Sequence, residues 1–245
     1  MVKSKKTKKK EETLNKKNLI IYLGVILLTI ILLILAFSIS NNEKTKNSKR
    51  FKESYESING KIDDSKNKIR TVHISENNPF VYITGEELVK KINSNETFYV
   101  YFGSKYCPWC RSVIEKAIEV ANDKNIKTIY YVEIWGKQHE EIFRDKYELL
   151  ENGALNKVYG GTKAYKKIIK SFENVLEDYT LSKEDGTSYN VGEKRIFAPT
   201  FIYVKNGKAV KSTDGTSKKQ EGAFDKLTKE ILDDEEKLFN EFFEN

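Results

Sequence analysis

The longest apolar stretch of the chain lies near its N-terminus. Leu19–Ile39 is a run of 21 residues without a charged side chain. At a rise of about 1.5 Å per residue, a helix of this length spans the roughly 30 Å hydrocarbon core of a bilayer. A cleaved signal peptide is the alternative, but its apolar region usually has only about 7–15 residues. The pattern therefore favours an uncleaved transmembrane anchor over residues 19–40.

A polar segment follows the anchor. Residues 41–78 are rich in Asn, Ser, Lys and Glu, with a helical pattern near Phe51–Ile62. Low hydrophobicity of this kind is typical of a linker rather than of a packed domain. We therefore predict a stalk over residues 41–78, which holds a folded domain over residues 79–245 away from the bilayer.

From Pro79 onward, short apolar strands alternate with amphipathic helices. Thr84 and Glu87 form a capping-box pattern at the start of the first helix. The order strand–helix–strand–helix–strand implies a central sheet with at least one parallel crossover. The predicted strands are Phe80–Thr84, Phe98–Phe102 and Ile126–Trp135, and the predicted helices are Gly85–Asn93 and Arg111–Asn122.

Residues 136–197 interrupt this alternation with helical spacing. Apolar residues recur with helical periodicity between Ile142 and Leu150, and again between Tyr165 and Tyr179. We therefore predict a helical insert, in which a turn at Asp185-Gly186 leaves room for a small hairpin. Two roles stay open for this insert: packing on the sheet, or forming one wall of a substrate groove beside the cysteines.

The last part of the chain returns to strands and ends in a helix. Ala198–Val204 reads as a strand, and Asn206-Gly207 is a type I′ turn signal that pairs it with Lys208–Thr213. A helical pattern begins at Gly222 and continues almost to the C-terminus. The domain over residues 79–245 is therefore predicted to be of the α/β class, with a central mixed sheet flanked by helices.

Charge modifies this picture mainly near the N-terminus. Eight lysines lie in residues 1–18, which predicts a disordered basic tail, and residues 1–52 hold 13 Lys or Arg but three Asp or Glu. The basic excess lies beside the anchor, so membrane lipid is its expected partner and nucleic acid is not. The positive-inside rule predicts a single-pass cell-membrane protein with a cytoplasmic N-terminus and residues 41–245 extracytoplasmic.

The candidate chemistry lies in Cys107-Pro108-Trp109-Cys110, which contains the only two cysteines of the 245 residues. The motif lies where a strand passes into a helix, and the helix N-terminus favours a thiolate on Cys107. These features indicate a redox-active dithiol that needs no cofactor. A zinc site would need two further ligands, and only His73 and His139 could supply nitrogen, so no metal is expected.

Two motifs together resemble the thioredoxin superfamily. They are the CPWC sequence on its strand-to-helix turn and Ala198-Pro199-Thr200 at the start of a strand–Asn-Gly–strand unit. The resemblance covers about residues 79–135 and 198–235 and implies a thioredoxin-like fold. With its membrane anchor and insert, the chain looks most like bacteriocin transport accessory-type proteins of Gram-positive bacteria.

The resemblance also implies roles for individual residues. Cys107 becomes the exposed nucleophile and Cys110 the buried resolving thiol. Pro199 is expected to be cis, with the backbone of Ala198 free to pair with an extended substrate peptide. Trp109 and Thr200 complete the predicted substrate-binding surface, and the positive charges of Lys105 and Arg111 are expected to lower the pKa of Cys107.

One position departs from the family pattern. Many thioredoxins carry a buried carboxylate six residues before the first cysteine, and this chain has Tyr101 there. Glu133 on the neighbouring strand is a substitute, although a strand Glu is expected on the solvent face. The missing acid leaves the direction of electron transfer open.

The resulting functional prediction is a thiol–disulfide oxidoreductase that acts on thiols or disulfides of secreted or surface proteins. An oxidase would need a re-oxidant and a reductase a transmembrane electron donor, so a membrane redox partner is expected. The alternative is a non-catalytic thioredoxin-like module that binds peptides or serves as a scaffold in a membrane complex.

Overall fold

The computed structural model describes residues 2–136, 140–183 and 185–244. It divides into two compact units, Met1–Lys46 and Asn47–Asn245. Helix α1 (Val2–Glu56) forms the first unit and also supplies the start of the second. The predicted disordered tail is therefore helical from Val2 onward, because Lys and Glu are good helix formers that extend a helix already nucleated by the apolar run.

The apolar part of α1 has its side chains exposed, at 45–69% for the large ones between Leu19 and Ile39. Within the described residues, this is the one helix that is long and apolar enough to cross a membrane, by length and composition.

A five-stranded mixed sheet lies at the centre of the second unit. Its strands are β1 (Phe80–Tyr82), β2 (Phe98–Gly103), β3 (Ile129–Glu133), β8 (Thr200–Lys205) and β9 (Lys208–Thr213). The spatial order is β1–β3–β2–β8–β9, in which β3 is parallel to β1 and β2 while β8 and β9 are antiparallel to their neighbours. All six residues of β2 are buried, as expected for a central strand covered on both faces.

Helices cover both faces of the sheet. They are α2 (Gly85–Asn93), α3 (Pro108–Asp123), α4 (Lys163–Phe172) and α5 (Lys229–Phe243). One core contains the inward faces of α3 and α5, and the other contains those of α2 and α4. This mixed α/β architecture fits the thioredoxin-like fold that the sequence predicts.

Local signals placed several elements correctly. The capping box is confirmed, since Thr84 accepts from the Glu87 amide and the Glu87 carboxylate accepts from the Thr84 amide. The type I′ signal is also confirmed, because Asn206 and Gly207 both have positive φ and join paired strands. The C-terminal helix begins at Lys229, later than the predicted start at Gly222. Thr228 is its N-cap.

The insert, residues 136–197, is less helical than predicted. It contains α4, a short 3₁₀ turn (Glu173–Val175) and two hairpins. The hairpins pair β4 (Lys146–Leu149) with β5 (Leu155–Tyr159), and β6 (Glu177–Ser182) with β7 (Ser188–Arg195). The few apolar positions around β4 fit the alternating pattern of a strand as well as helical spacing. The turn at Gly153, with φ +77°, favours a hairpin.

The predicted stalk is the larger correction. Residues 47–78, here named the N-terminal segment, belong to the second compact unit. Phe51 and Tyr55 on α1, together with Val72 and Ile74, are buried in the core on the α3 side of the sheet. Because these side chains are part of the core, the segment folds with the domain and does not serve as a spacer.

Candidate functional site: the dithiol at the start of helix α3

The two cysteines lie where β2 passes into α3. Cys107 is the N-cap of α3, and its Sγ accepts a hydrogen bond from the Cys110 amide at 3.3 Å, while Pro108 occupies the first turn. Both thiols are free. Cys107 is only 3% exposed and Cys110 is fully buried, so the expectation of an exposed Cys107 is corrected.

Cys107 faces the loop that precedes β8, which covers its sulfur. The Ala198–Pro199 peptide bond is cis. The Cys107 thiol lies 3.4 Å from the Ala198 carbonyl oxygen and donates to it. A substrate that reaches Cys107 must therefore replace this contact, which leaves the Ala198 carbonyl available for another donor. The hydroxyl of Thr200 closes the same loop by donating to the Phe197 carbonyl at 2.9 Å.

A groove of about 810 Å³ opens beside this loop. Trp109, Ala198, Pro199 and Thr200, which the sequence assigns to substrate binding, all line it. Its other walls come from the insert, from β9 and the residues after it, and from α5. Leu176, Arg195 and Phe197 of the insert line this groove, so the hypothesis that the insert forms one wall of a substrate groove stays a prediction.

The two thiols have opposite pKa shifts. Burial acts to raise the pKa of Cys107, but the Cys110 thiol, the Cys110 and Trp109 amides and the charge of Arg144 together lower it below its ordinary value. Burial raises the pKa of Cys110 well above its ordinary value, and the neighbouring Cys107 raises it further. Cys107 is therefore the thiol that ionises first, and Cys110 stays protonated until a later step.

The cation acting on Cys107 comes from the insert. Arg144 is buried, donates to the Glu141 carboxylate through Nε and Nη2, and donates to the Ile196 carbonyl at 3.0 Å. Arg195 lies 3.6 Å from the same carboxylate. Two arginines thus share one acid, which leaves a net positive charge buried near the dithiol. No local motif links residue 144 to residue 107, so this group could not be found from the sequence.

Arg111 and Lys105 have other partners in the structure. Arg111 is buried and donates to the carbonyls of Tyr55, Arg70 and Lys105, at 2.9, 2.8 and 3.2 Å. It therefore joins the N-terminal segment to the loop before Cys107. The ammonium of Lys105 lies 3.5 Å from the Ser57 hydroxyl, near the same segment.

Tyr101, which replaces the expected acid, is fully buried beside the resolving thiol. The Tyr101 side chain acts to lower the pKa of Cys110, against the larger effect of burial. The hydroxyl of Tyr55 lies 3.0 Å from that of Tyr101. The sequence marked Tyr101 as a departure but gave no indication that Tyr55, 46 positions earlier, lies against it.

Glu133 is not on the solvent face. Its carboxylate accepts from the Tyr131 hydroxyl at 2.7 Å and also interacts with Ser104, and burial raises its pKa. The side chain lies on the α3 face because it follows Tyr131 by two positions on β3, which alternates its side chains across the sheet.

The described residues contain no group of three or more His, Cys, Asp or Glu that could hold a metal ion. Of the two histidines considered as zinc ligands, His73 is exposed and His139 lies outside the described residues.

Comparisons with known proteins add little to this site. No family model matches the chain. No curated protein matches it. Among solved structures, it is similar to thioredoxin O2 from Arabidopsis thaliana in the oxidized state, at 16% identity and a TM-score of 0.28 over 56% of this chain and 82% of that chain. This likeness is weak, so the fold assignment rests on the order and pairing of the chain's own strands and helices.

Proposed function

We propose that the chain is a membrane-anchored, extracytoplasmic thiol–disulfide oxidoreductase that uses Cys107 and Cys110 on secreted or surface proteins. The observation that carries the proposal is a pair of free thiols with opposite pKa shifts at the N-terminus of α3, beside a cis-proline loop. A low pKa makes Cys107 both a ready nucleophile and a good leaving group.

The reaction follows from thiol chemistry. The Cys107 thiolate attacks one sulfur of a substrate disulfide, and the second substrate sulfur leaves as a thiolate that takes a proton from solvent. Cys110, once deprotonated, attacks the Cys107 sulfur of this mixed disulfide. The Cys107–Cys110 disulfide forms, and the first substrate sulfur leaves with the electron pair. Two electrons pass from the dithiol to the substrate, and the reverse sequence oxidises a substrate dithiol.

The groove beside the dithiol supports a polypeptide as the substrate. It extends from Trp109 along the loop of Ala198 and Pro199 to the residues after β9 and to α5. Its volume of about 810 Å³ is in the upper part of the range for small-ligand pockets, and its open form suits an extended chain. The Ala198 carbonyl, released by the Cys107 thiol during reaction, becomes an acceptor for a substrate backbone amide.

Membrane attachment is proposed from the exposed apolar part of α1 and from the lysines that precede it. The positive-inside rule then places residues 41–245 outside the cytoplasm, where secreted and surface proteins carry disulfides. The closer likeness to bacteriocin transport accessory-type proteins stays a prediction from the sequence, as does a membrane redox partner.

The test is to follow disulfide exchange by the full-length protein in detergent, with oxidised glutathione as the substrate. Cys107→Ser should abolish exchange, whereas Cys110→Ser should accumulate a stable glutathione mixed disulfide on Cys107, detected by mass spectrometry. The alternative, a non-catalytic binding module, predicts that the wild type forms no mixed disulfide and that neither serine variant changes function.

Equilibration in glutathione buffers gives the direction of electron transfer. A potential near that of thioredoxin, about −270 mV, would favour a reductase, and one near about −120 mV would favour an oxidase. The reduction potential depends on both thiols. The raised pKa of Cys110 favours its protonated form, and the lowered pKa of Cys107 favours its thiolate.

A further inference from the structure

We propose that Arg195 binds an acidic side chain of the substrate, so that the dithiol acts preferentially on polypeptides in which an Asp or Glu lies a few residues from the reacting cysteine. The inference rests on the proposed function and deepens it, because it names a substrate class. It follows from a guanidinium that is buried in the wall of the groove beside the dithiol and whose charge its neighbours do not balance.

Arg195 differs in burial from the other charged residues that line this groove. It ends β7, three residues before Ala198, and its side chain is only 8% exposed. The other charged lining residues are half-buried or exposed: Glu177, Asp214, Lys218, Asp234, Lys237 and Glu241. Solvent and salt therefore screen a charge interaction at Arg195 less than one at these positions.

The guanidinium of Arg195 is held in one place by the insert. Its Nη1 donates to the Asp145 carbonyl, and its Cζ lies 4.0 Å from the centroid of the Tyr179 ring. The ring centroid of Phe197, which also lines the groove, lies 5.9 Å from the same atom. A side chain that is already ordered loses little conformational entropy when a ligand binds, so a substrate carboxylate meets a preorganised partner.

The acids around Arg195 do not balance its charge. Its Nη2 lies 3.6 Å from the Glu141 carboxylate, which already accepts from Nε and Nη2 of Arg144. The Asp145 carboxylate lies 3.0 Å from the Lys157 ammonium. Two guanidinium cations therefore share the Glu141 carboxylate, and the groove wall keeps a net positive charge at Arg195.

A carboxylate fits the donors and the charge of this position. A guanidinium has five N–H groups, and within the described residues a single hydrogen bond, from Nη1, uses those of Arg195. Glu177, opposite Arg195 on β6, forms no ion pair with it in the same part of the chain. A carboxylate accepts paired N–H bonds from a guanidinium, and such charge-assisted bonds are stronger than neutral ones.

The position of Arg195 also limits where the acid lies in the substrate. A substrate cysteine reacts at Cys107, whose sulfur lies 3.4 Å from the Ala198 carbonyl oxygen. Arg195 and Ala198 line the same groove and are three residues apart. An acidic side chain that reaches Arg195 therefore lies close in sequence to the reacting cysteine.

The test compares matched peptides. Each has one cysteine, blocked as a mixed disulfide with the neutral thiol mercaptoethanol, and carries Glu, Gln or Lys at one position near that cysteine in an otherwise neutral sequence. The reduced full-length protein in detergent converts the peptide disulfide to two thiols, while Cys107 and Cys110 become a disulfide. Single-turnover rates against peptide concentration give an apparent Kd and a saturating rate. At one or two positions, Glu should lower the apparent Kd about ten- to a hundredfold relative to Gln and leave the saturating rate similar.

Variants then assign this preference to Arg195. Arg195→Gln should remove it, and Arg195→Lys, which keeps the charge but not the paired donors, should keep part of it. Lys237→Gln is the matched control, because Lys237 is an exposed cation of the same groove, and it should keep the wild-type ratio of the two apparent Kd values. Near-ultraviolet circular dichroism checks folding, and Arg195→Lys carries the test if Arg195→Gln does not fold.

Four results would overturn the inference. Two concern the wild type: equal apparent Kd values for the Glu and Gln peptides at every position, or tighter binding of Lys than of Glu, which would mean that the exposed acids of the groove select the substrate. Two concern the variants: a wild-type ratio in the folded Arg195 variants, or an equal fall of the ratio in Lys237→Gln, which would show a general effect of charge.

The same experiment separates the inference from the proposed function. If the wild type reacts with none of the peptides, the proposed function fails and the inference fails with it. If the wild type reacts with the Glu and Gln peptides and does not distinguish them, only the inference fails.

Discussion

The N-terminal segment (residues 47–78) and the insert (residues 136–197) both lie outside the five-stranded sheet, yet each places a residue near the dithiol. The N-terminal segment places the Tyr55 hydroxyl 3.0 Å from that of Tyr101, a residue that acts to lower the pKa of Cys110. The insert brings the charge of Arg144 to Cys107. One addition contacts the tyrosine that affects the resolving thiol, and the other acts on the nucleophile by charge.

The two additions are also joined to the domain in different ways. The N-terminal segment enters the core through aromatic rings, with Phe51 stacked 4.2 Å from Phe80 and 4.5 Å from Tyr55. The insert uses an ionic cluster as well, in which Glu141 accepts from Arg144 and lies near Arg195. Apolar burial dominates the first contact and paired buried charge contributes to the second, so the two respond to different perturbations.

The largest expected effect comes from removing the central ring of the N-terminal segment. Phe51 is 0% exposed and packs against rings from α1 and the sheet. Phe51→Ala should lower the free energy of unfolding by about 3–5 kcal/mol, through lost apolar burial and the cavity left behind. Urea unfolding of the full-length protein measures this.

Phe224→Ala is the control for that experiment, since Phe224 is 43% exposed. It should change the free energy of unfolding by no more than about 0.5 kcal/mol. A similarly small change for Phe51→Ala would show that residues 47–78 are a stalk after all.

The contrast between these regions also explains what the sequence could predict. The capping box at Thr84, the turn at Asn206-Gly207 and the position of Cys107 depend on neighbouring residues, and these predictions were confirmed. The hairpin β4–β5 had its own local signal, Asn152-Gly153, which the helical spacing obscured. Capping and turn residues therefore predicted local structure more reliably than the spacing of apolar residues did.

The N-terminal segment was misread for a different reason. Phe51, Tyr55 and Ile58 follow helical spacing and are all buried, but they lie in a sequence dominated by polar residues. Average composition favoured a linker, although Phe51 and Tyr55 on α1 were enough to bury this part of the segment in the core. The Tyr55–Tyr101 contact and the effect of the Arg144 charge on Cys107 link distant parts of the chain, so only the tertiary structure reveals them.

The stability of the folded domain is expected to depend on pH through a buried acid on α5. Glu235 on α5 is fully buried, and neither of its carboxylate oxygens has a hydrogen-bond partner among the described residues. Burial raises its pKa to about 8, against the opposing charges of Arg70, in the N-terminal segment, and Lys116. The folded state therefore favours the protonated form of Glu235. The contribution of this protonated acid to the free energy of unfolding is complete below the unfolded pKa near 4.5 and is lost as the pH rises to about 8.

The free energy of unfolding of the wild type should therefore fall by about 2–4 kcal/mol more between pH 5 and pH 8.5 than that of Glu235→Gln, which cannot titrate. Glu230→Gln, on the exposed first turn of the same helix, should keep the wild-type dependence. Parallel curves for the wild type and Glu235→Gln would show that this carboxyl has an ordinary pKa.

The smallest effect, and the one that best separates the two additions, concerns the buried ionic cluster of the insert. Arg144→Gln removes the cation that acts on Cys107, so the pKa of Cys107 should rise by roughly 0.5–1 unit. Glu141→Gln removes the shared acid and leaves Arg144 and Arg195 uncompensated, so the same pKa should fall. The rate of iodoacetamide alkylation of Cys107 against pH, in Cys110→Ser protein, measures both shifts. Shifts of the same sign would mean that the insert acts on Cys107 through packing, whereas opposite signs with folded protein would identify charge as the cause.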